Sequence, residues 1–420
     1  MSRTEGGEAE GPEDRPVKTP VSEIRLDDAG SLVSINQYTI IQGLGKGSFA
    51  EVFLCADATT KNEYAVKVFN KSLLRRKRTM ERTARGVHVH SELEKVEREI
   101  AIMKDLVHPN LVCLFEVIDD DDGDQLYMFM EYVELGPVMV YDKATHTFAS
   151  RVTGGVCSEP CAAQYLMDVA AGLRFLHQHH IAHRDLKPDN VLLGVNGHVK
   201  IADFGVAHFF SGDRNKTIQS VRHLERSSSR AQIMETQGTY CFWAPEMVEV
   251  EKSFNAYACD MWATGVCLYI FLTGTLPFFD EAVTTLFDLI RQAQPDIPDD
   301  ISPDAKRLIN GLLINDVTQR LTVHDLESDP WLTDMTANFE AGDDLQAVAN
   351  SIRNSSVGTE SPRSSTKRLR RTLSPADLEA AFSRLGFKCK TVINKVYSMS
   401  GSKRKGGRSK GASPRQPADA

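Results

Sequence analysis

The sequence predicts an α+β protein with two lobes, in which a strand-rich lobe precedes a helical one. In the first lobe, short runs alternate between apolar and polar residues, as at 52–55 and 64–68, and a single helical stretch covers 93–104. From about residue 158 onward, apolar residues recur at helical spacing instead. We therefore expect a β-rich N-lobe with one main helix, followed by an α-helical C-lobe.

The boundaries follow from where these patterns begin and end. The folded region is predicted at 38–333, with an N-lobe at 38–130, a hinge at 131–136 and a C-lobe at 137–333. The first helix of the C-lobe begins at Ser158-Glu159-Pro160, a favourable helix start. Further helices are predicted at 244–249, 258–273, 282–291, 303–313 and 322–328.

Both ends of the chain differ in composition from this folded region. Residues 1–37 are polar, with frequent Gly, Pro and Glu, and are expected to form an acidic, disordered segment. Residues 334–420 form a basic, Ser-rich tail, which from 351 onward carries 16 Lys and Arg against 4 Asp and Glu. Because the whole chain has a formal net charge of -8, an acidic body precedes this basic tail. An amphipathic helix is expected in the tail at 375–399.

Composition argues against several classes of protein. The chain is 41% hydrophobic and 25% charged, which is typical of a soluble globular protein. No apolar run approaches the roughly 18 residues of a membrane-crossing helix, so no transmembrane segment is expected. The cysteines lack the spacing of a zinc site or of a disulfide framework. A reducing compartment is therefore predicted, with the cytoplasm and also the nucleus as locations, and with no specific nucleic-acid binding.

The most informative stretch is His183-Arg184-Asp185-Leu186-Lys187-Pro188-Asp189-Asn190. Phosphoryl transfer to a hydroxyl requires a carboxylate that accepts the hydroxyl proton, here Asp185, and a ligand for a metal ion, here Asn190. Asp203, in Asp203-Phe204-Gly205, supplies the second metal ligand. These strings resemble the catalytic motifs of eukaryotic protein kinases, and the resemblance covers about 38–333. We call residues 183–190 the catalytic loop.

The resemblance implies a bilobal protein kinase fold that uses ATP and Mg²⁺ as cofactors. A glycine-rich loop allows backbone N–H groups to approach phosphate oxygens that a Cβ would obstruct. The third glycine of the family pattern is replaced here by Ala50, the smallest possible change. The residues implied to bind ATP are Leu44, Gly45, Lys46, Gly47, Ser48, Phe49, Ala50, Glu51, Val52, Ala65, Lys67, Glu131, Val133 and Leu192.

Four side chains are implied to take part in catalysis, namely Lys67, Glu99, Asp185 and Lys187. Lys67 would contact the α- and β-phosphates, with Glu99 on the following helix as its partner. Glu99 is preferred to Glu97 because it adjoins the apolar face of that helix. Lys187, two residues after Asp185, is typical of the Ser/Thr kinases and would neutralise charge on the γ-phosphate.

Other residues are implied to hold the site together. The Glu131 carbonyl and the Val133 N–H would pair with adenine at the hinge. Glu246, in Ala244-Pro245-Glu246, and Arg320 resemble the buried ion pair that closes the C-lobe. Asp260 resembles the acid that braces the backbone of the catalytic loop.

An activation segment is implied between Asp203 and Glu246. In many kinases the Arg before the catalytic Asp, here Arg184, holds a phosphorylated Thr of this segment. The corresponding position in this chain is Glu235, with Thr236 and Thr239 nearby. Because a carboxylate carries less charge than a phosphate, Glu235 would hold Arg184 only partially and would give appreciable basal activity. The alternative is that Glu235 is a solvated loop residue.

Within the kinases, the sequence resembles the calcium/calmodulin-dependent protein kinase kinases, which also activate AMP-activated kinase. The resemblance rests on the stretches at 117–120, 126–128, 136–139 and 197–206. A basic insert between Lys67 and Glu99, including Arg75-Arg76-Lys77-Arg78, is also a feature of that group. We interpret the insert as a docking surface for substrate kinases, and a solvated loop is the alternative.

The implied function is transfer of the γ-phosphoryl of Mg-ATP to Ser or Thr of protein substrates, with other kinases as the expected substrates. A Ser/Thr kinase of another branch with general substrates is one alternative. A pseudokinase scaffold is another, although the intact Lys67, Asp185, Asn190 and Asp203 argue against it.

The basic tail offers a second partner. Leu378, Phe382 and Leu385 lie at helical spacing among basic residues, and a basic amphipathic helix is the pattern of calmodulin targets. The same pattern is found in autoinhibitory segments and in segments that target lipid or the nucleus, and the absence of any specific role is the remaining alternative.

Overall fold

The structure is a computed structural model, and it describes residues 19–20, 23–28, 30–47, 50–83, 86–120, 123–209, 240–249, 254–337, 339 and 345–355. Within these ranges a strand-rich N-lobe is followed by a helical C-lobe. The predicted bilobal α+β fold is therefore confirmed.

A single large sheet forms most of the N-lobe. The strands described in this lobe are β1 (Thr19–Pro20), β2 (Ile24–Leu26), β3 (Leu32–Ile35), β4 (Tyr38–Lys46), β5 (Ala50–Asp57), β6 (Glu63–Asn70), β7 (Arg78–Thr83), β8 (Gly86–Ser91), β9 (Leu114–Asp119) and β10 (Gln125–Glu131). The large sheet has the order β1-β9-β10-β6-β5-β4-β3-β2, and β7 pairs with β8 alone. Val52 lies opposite Lys67 and Ala65 lies opposite Met130, so β6, which carries Lys67, lies between the strand that follows the glycine-rich loop and the strand that precedes the hinge.

Ile24–Leu26 and Leu32–Ile35 belong to the large sheet, which corrects the prediction of a disordered segment through residue 37. β2 and β3 pair with each other, and β3 pairs with β4 through Ser34 opposite Thr39. Ile35 is fully buried. The prediction groups this stretch with the polar residues before it, although half of its own residues are apolar. The edge of β4 provides hydrogen-bond partners for its backbone, and the core provides a place for Ile35.

Two helices lie between β6 and β9. In α1 (Lys71–Arg76) the Asn70 side chain accepts a hydrogen bond from the Leu73 N–H, which caps the helix. In α2 (Glu92–Met103) Ser91 and Glu94 form a reciprocal capping box. The β7–β8 ribbon separates the two helices, so the basic insert is an ordered helix and ribbon in its described residues.

The C-lobe is built around a buried central helix. The helices described in the C-lobe and after it are α3 (Glu159–Gln178), α4 (Pro245–Val248), α5 (Ala256–Thr273), α6 (Val283–Gln292), α7 (Pro303–Leu312), α8 (Val323–Glu327), α9 (Pro330–Thr336) and α10 (Leu345–Ser355). Among the described helices, α5 is the one that is long and apolar enough to cross a membrane. However, 89% of this helix is buried inside the protein. It is therefore the core helix of this lobe.

Helix α10 lies within the predicted basic, Ser-rich tail and corrects the predicted end of the folded region at residue 333. Leu345 and Ala349 are buried in the same apolar cluster as the core of the lobes. The apolar residues at helical spacing, rather than the flanking charges, decide the structure here. The predicted helix at 375–399 lies outside the described residues.

Short two-stranded sheets surround the catalytic loop. They are formed by β11 (Val140–Asp142) with β12 (Thr147–Ala149), β13 (Ile181–Ala182) with β16 (His208–Phe209), and β14 (Val191–Leu193) with β15 (Val199–Ile201). The catalytic loop runs from β13 to β14, and Asp203 follows β15 closely. The topology thus brings two motifs that are distant in sequence to one place.

Candidate active site

Lys67 is the point at which the two lobes meet in this site. Its Nζ atom lies 3.1 Å from Glu99 Oε1, on α2, and 3.3 Å from Asp203 Oδ1, in the C-lobe. Glu99 is buried whereas Glu97 is exposed, so the structure brings Lys67 to the glutamate that the apolar face of the helix favoured. This three-residue arrangement requires both α2 and the start of the activation segment to be in place.

The charges of this group support one another. Burial alone would lower the pKa of Lys67, but attraction to Glu99 and then to Asp203 raises it above its ordinary value. Burial alone would raise the pKa of Asp203, but the Lys67 ammonium holds it below its ordinary value. Lys67 is therefore a cation and Asp203 an anion at neutral pH.

Asp203 adopts a strained backbone conformation, with φ of +62°. A non-glycine residue in the left-handed region costs about 1–2 kcal/mol. Next to it, Phe204 is buried and packs edge-on against the His183 ring, with centroids 5.4 Å apart. The buried ring and the Lys67 ion pair fix Asp203 from both sides, which keeps its carboxylate in the site.

Asp185 is held by two neighbours from its own loop. Its Oδ2 atom accepts hydrogen bonds from Lys187 Nζ at 2.8 Å and from Asn190 Nδ2 at 3.1 Å. Asn190 Nδ2 also donates to the Asp185 carbonyl oxygen at 2.7 Å. Burial alone would lower the pKa of Lys187, but the Asp185 carboxylate raises it. With Oδ2 bound in this way, Oδ1 is the oxygen that can accept the proton of an incoming hydroxyl.

The backbone of the catalytic loop is fixed by Asp260 at the start of α5. Its carboxylate accepts the N–H groups of His183 and Arg184 at 3.0 and 2.7 Å. It also lies 2.8 Å from His177 Nε2, on the last turn of α3. Arg184 has φ of +68°, a second left-handed residue in the site. Asp260 is 1% exposed, so these bonds form away from solvent and strongly favour this loop conformation.

The nucleotide residues of the N-lobe lie around the β4–β5 hairpin. Gly45 is opposite Val52, and the Gly47 N–H donates to the Ala50 carbonyl at 2.8 Å. A Cβ on Gly45 would meet nothing within 4 Å, and one on Gly47 would meet only the Ala50 oxygen, at 3.5 Å. None of the described residues fills the space over these glycines, which fits a phosphate that approaches the backbone.

The hinge joins β10 of the N-lobe to the C-lobe. Glu131 ends β10 and lies opposite Tyr64, while the Val133 carbonyl accepts the Gly136 N–H at 3.2 Å. Leu192, on β14, pairs with Pro137 just after the hinge. The other predicted nucleotide residues lie on three adjacent strands: Leu44 and Lys46 on β4, Glu51 on β5 and Ala65 on β6. Lys46 Nζ lies 2.5 Å from Glu51 Oε1.

The donor set fits magnesium held together with phosphates. In the described residues no group of three or more His, Cys, Asp or Glu side chains could hold a metal ion by itself. Mg²⁺ instead prefers one or two protein oxygens plus substrate phosphates and water. Asp203 offers a carboxylate, and Asn190, whose nitrogen is used by Asp185, offers its amide oxygen. These two residues would hold the ion, which would neutralise charge on the phosphates.

Glu246 and Arg320 form the buried pair that the sequence indicated. Arg320 donates to the two Glu246 carboxylate oxygens at 2.6 and 2.9 Å and to the Ala258 carbonyl at 2.9 Å. Arg320 is 3% exposed. The pair ties α4 to the loop before α8 and so fixes the end of the activation segment.

Several predicted residues lie outside the described part of the chain: Ser48 and Phe49 of the glycine-rich loop, and Glu235, Thr236 and Thr239 of the activation segment. One contact was missed from the sequence. His177 bonds to Asp260 across two helices, and no local pattern indicates this pairing. It depends on how the end of α3 packs against α5.

Taken together, the described side chains can carry out one type of chemistry. A cationic Lys67 lies beside an anionic Asp203, and a carboxylate, Asp185, is oriented by Lys187 and Asn190. The Asn190 carbonyl accepts the N–H of Ala202, next to Asp203, at 2.8 Å, which places the two groups near each other. Such a set positions phosphates on one side and activates a hydroxyl on the other.

Comparison with known proteins agrees with this geometry. The model of the protein kinase domain matches residues 38–332. Serine/threonine-protein kinase GRIK2 of Arabidopsis thaliana is 35% identical over 318 residues, which cover 76% of this chain and 70% of that protein. The calcium/calmodulin-dependent protein kinase kinase of Caenorhabditis elegans is 33% identical over 327 residues, covering 74% of this chain and 56% of that protein. The chain therefore belongs to the protein kinase family and is a serine/threonine protein kinase.

Proposed function

We propose that this kinase transfers the γ-phosphoryl of Mg-ATP to Ser or Thr in the activation segments of other kinases. For the chemical step, Asp185 accepts the hydroxyl proton and Lys187 neutralises charge on the γ-phosphate. Asn190 and Asp203 hold magnesium, and Lys67, positioned by Glu99, contacts the other phosphates. The contact of Lys67 with both Glu99 and Asp203 carries the catalytic part of this proposal, because a scaffold without catalysis has no need of it.

The choice of substrate rests on similarity and on one surface. The similar protein of Caenorhabditis elegans is named as a kinase kinase. In this chain the basic insert starts at α1, where Leu73 is 54% exposed and Arg75, Arg76 and Lys77 are exposed beside it. An exposed apolar residue among cations suits a folded partner with an acidic surface. We call residues 73–77 the α1 surface.

The α1 surface is firmly attached to the N-lobe. Lys71 is 5% exposed, and its Nζ atom lies 2.8 Å from Asp119 Oδ1. The Lys71 N–H donates to the Asp124 carbonyl at 2.7 Å, and the Ser72 N–H donates to Asp124 Oδ1 at 2.7 Å. A surface fixed at its base loses little entropy on binding, which favours a docking role over a solvated loop.

The test compares a folded substrate with a short one. Purified catalytic domains of AMP-activated kinase and of calmodulin-dependent kinase serve as folded substrates, and a peptide of the same phosphorylated segment serves as the short one. Arg75→Glu with Arg76→Glu should lower kcat/KM for the folded domains about tenfold and leave the peptide within about twofold. Arg291→Glu, an exposed charge reversal on α6 in the C-lobe, is the matched control and should alter neither.

If Arg75→Glu with Arg76→Glu changes kcat/KM equally for the folded domains and for the peptide, docking at this surface is contradicted. If the purified kinase domains are not phosphorylated at all while general peptides are, the kinase-kinase proposal is wrong and the branch with general substrates is favoured.

Two regulatory proposals concern residues outside the described part of the chain. Calmodulin is proposed to bind the basic tail at 375–399, and titration calorimetry of that peptide with calcium-loaded calmodulin tests it. Glu235 is proposed to substitute in part for a phosphate that holds Arg184. Phosphatase-treated enzyme should then stay active, and Glu235→Ala should lower that activity several-fold. Loss of activity after phosphatase, with no effect of Glu235→Ala, would show that a phosphosite is the switch.

We also propose that the kinase is located in the cytoplasm and that the basic tail directs a fraction of it to the nucleus. Imaging of the full chain and of a chain ending at 355 tests it, and an identical distribution of the two would contradict a targeting role for the tail.

A further inference from the structure

Helix α10 follows the region that matches the protein kinase domain, yet it packs as part of the folded core. Its apolar residues Leu345, Val348, Ala349 and Ile352 lie at the spacing of one helix face. Leu345 is 8% exposed and Ala349 is 7% exposed. Both belong to the apolar cluster that contains the buried core residues of the two lobes. Val348 and Ile352 pack against that cluster. This face therefore anchors the helix to the catalytic body.

The end of α10 reaches the N-lobe through one ion pair. Arg353 Nη1 lies 2.9 Å from Glu63 Oε2, and Arg353 Nη2 lies 2.7 Å from Glu63 Oε1. The side chains are 13% and 28% exposed, so the pair is largely removed from solvent. Two parallel, charge-assisted hydrogen bonds fix both the distance and the orientation of the partners. The contact spans 290 positions of sequence.

Glu63 lies at a position from which a contact affects both the strand of Lys67 and the hinge. It is the first residue of β6, the strand that carries Lys67. The next residue, Tyr64, lies opposite Glu131 at the start of the hinge. At the other end, α9 packs against α3 and α8 in the C-lobe. The chain therefore lies in the C-lobe at α9 and contacts the N-lobe beside the hinge at Arg353.

We propose that α10 is a strap that holds the two lobes together, and that Arg353 is a positioning residue for nucleotide binding. By fixing the start of β6, the Arg353–Glu63 pair keeps Lys67 at the distance from Asp203 that the phosphates require. The proposal rests on the proposed role of Lys67 in binding ATP. Release of the strap loosens the N-lobe and weakens ATP binding, while the catalytic loop, which belongs to the C-lobe, is unaffected.

The test is a charge exchange in the full-length protein, assayed with a general peptide substrate. Arg353→Glu and Glu63→Arg are made singly and together, and KM for ATP, kcat and the melting temperature are measured. Each single reversal should raise KM for ATP about three- to tenfold and leave kcat within about twofold. The double variant, which restores opposite charges, should recover most of the affinity.

A second ion pair provides the matched control. Arg307 makes the same two-bond contact with Asp329, at 2.8 and 3.1 Å, but both residues lie within the C-lobe. Arg307→Glu should lower the melting temperature without changing KM for ATP. A general loss of stability would affect both pairs alike, so the comparison separates positioning from stability.

Three results would overturn the strap: wild-type KM in both single variants, a raised KM that the double variant does not recover, or an equal rise in Arg307→Glu. Lys67→Met is assayed beside them for ATP binding by calorimetry. If Lys67→Met binds ATP as the wild type does, the proposed role of Lys67 fails, and with it the basis of the strap. If Lys67→Met loses ATP binding and the charge exchange has no effect, the strap alone is wrong.

Discussion

Replacing Asp260 by Asn tests how the catalytic loop is held. The two side chains have nearly the same shape, but the Asn side chain has one accepting oxygen and one donating nitrogen. Asp260 accepts the N–H groups of both His183 and Arg184. In the variant one of these N–H groups must face the amide nitrogen, and a buried donor loses its partner.

The size of the effect follows from the contacts. A buried donor left unsatisfied costs about 1–3 kcal/mol. Arg184 already holds a left-handed backbone, with φ of +68°, which a relaxed loop would abandon. Since each 1.36 kcal/mol corresponds to about tenfold in rate, kcat should fall about 10- to 100-fold if the cost falls on the loop. KM for ATP should change little, because Lys67 and its partners are untouched.

The assay is steady-state kinetics beside urea unfolding, with Asp168→Asn as the control. Asp168 is also a buried carboxylate, and it accepts the Val199 N–H at 2.9 Å, outside the catalytic loop. It should lose comparable stability and keep kcat within about threefold. The explanation is refuted if Asp260→Asn keeps more than a third of the wild-type kcat, or if Asp168→Asn loses as much.

Three further outcomes are expected. Asp185→Asn should lower kcat by about 10²–10⁴ while ATP affinity measured by calorimetry stays near wild type, and more than a tenth of the wild-type rate would contradict its role. Arg320→Ala should lower the free energy of unfolding by about 3–5 kcal/mol, measured by urea titration, because it leaves the Glu246 carboxylate buried without its partner; a loss below about 1 kcal/mol would contradict this. The hydrogen bond to Asp168 raises the pKa of His198, so this pair stabilises the fold fully below about pH 6.5 and loses that effect as pH rises through the raised value. The melting temperature of His198→Gln should therefore depend less on pH in this window, and an unchanged pH profile would contradict the linkage.

The parts of the site that could be predicted from the sequence are those with local spacing. Asp185, Lys187 and Asn190 lie within one loop, and their mutual bonds follow from that proximity. The choice of Glu99 over Glu97 followed from the apolar face of a single helix. In each case the information lies within a few residues, where helix and loop geometry are well defined.

What could not be predicted depends on distant parts of the chain. Arg353 meets Glu63 only because α10 packs by its apolar face first. His177 meets Asp260 only because two helices of the C-lobe cross at that point. The prediction places residues 24–35 in the disordered segment together with the polar residues before them, but an unpaired sheet edge was available to them. Tertiary packing decided all three, and the local pattern contains no record of it.

The edge strands bear on how the enzyme is produced and handled. A fragment cut to the matching region, 38–332, lacks β2 and β3, which removes the partners of Tyr38 and Thr39 at the edge of β4. Bare edges recruit strands from other molecules, so such a fragment should self-associate during purification. A recombinant protein that begins before residue 24 and ends after 355 keeps both the edge cover and α10. For this kinase, the smallest well-behaved unit is larger than its family domain.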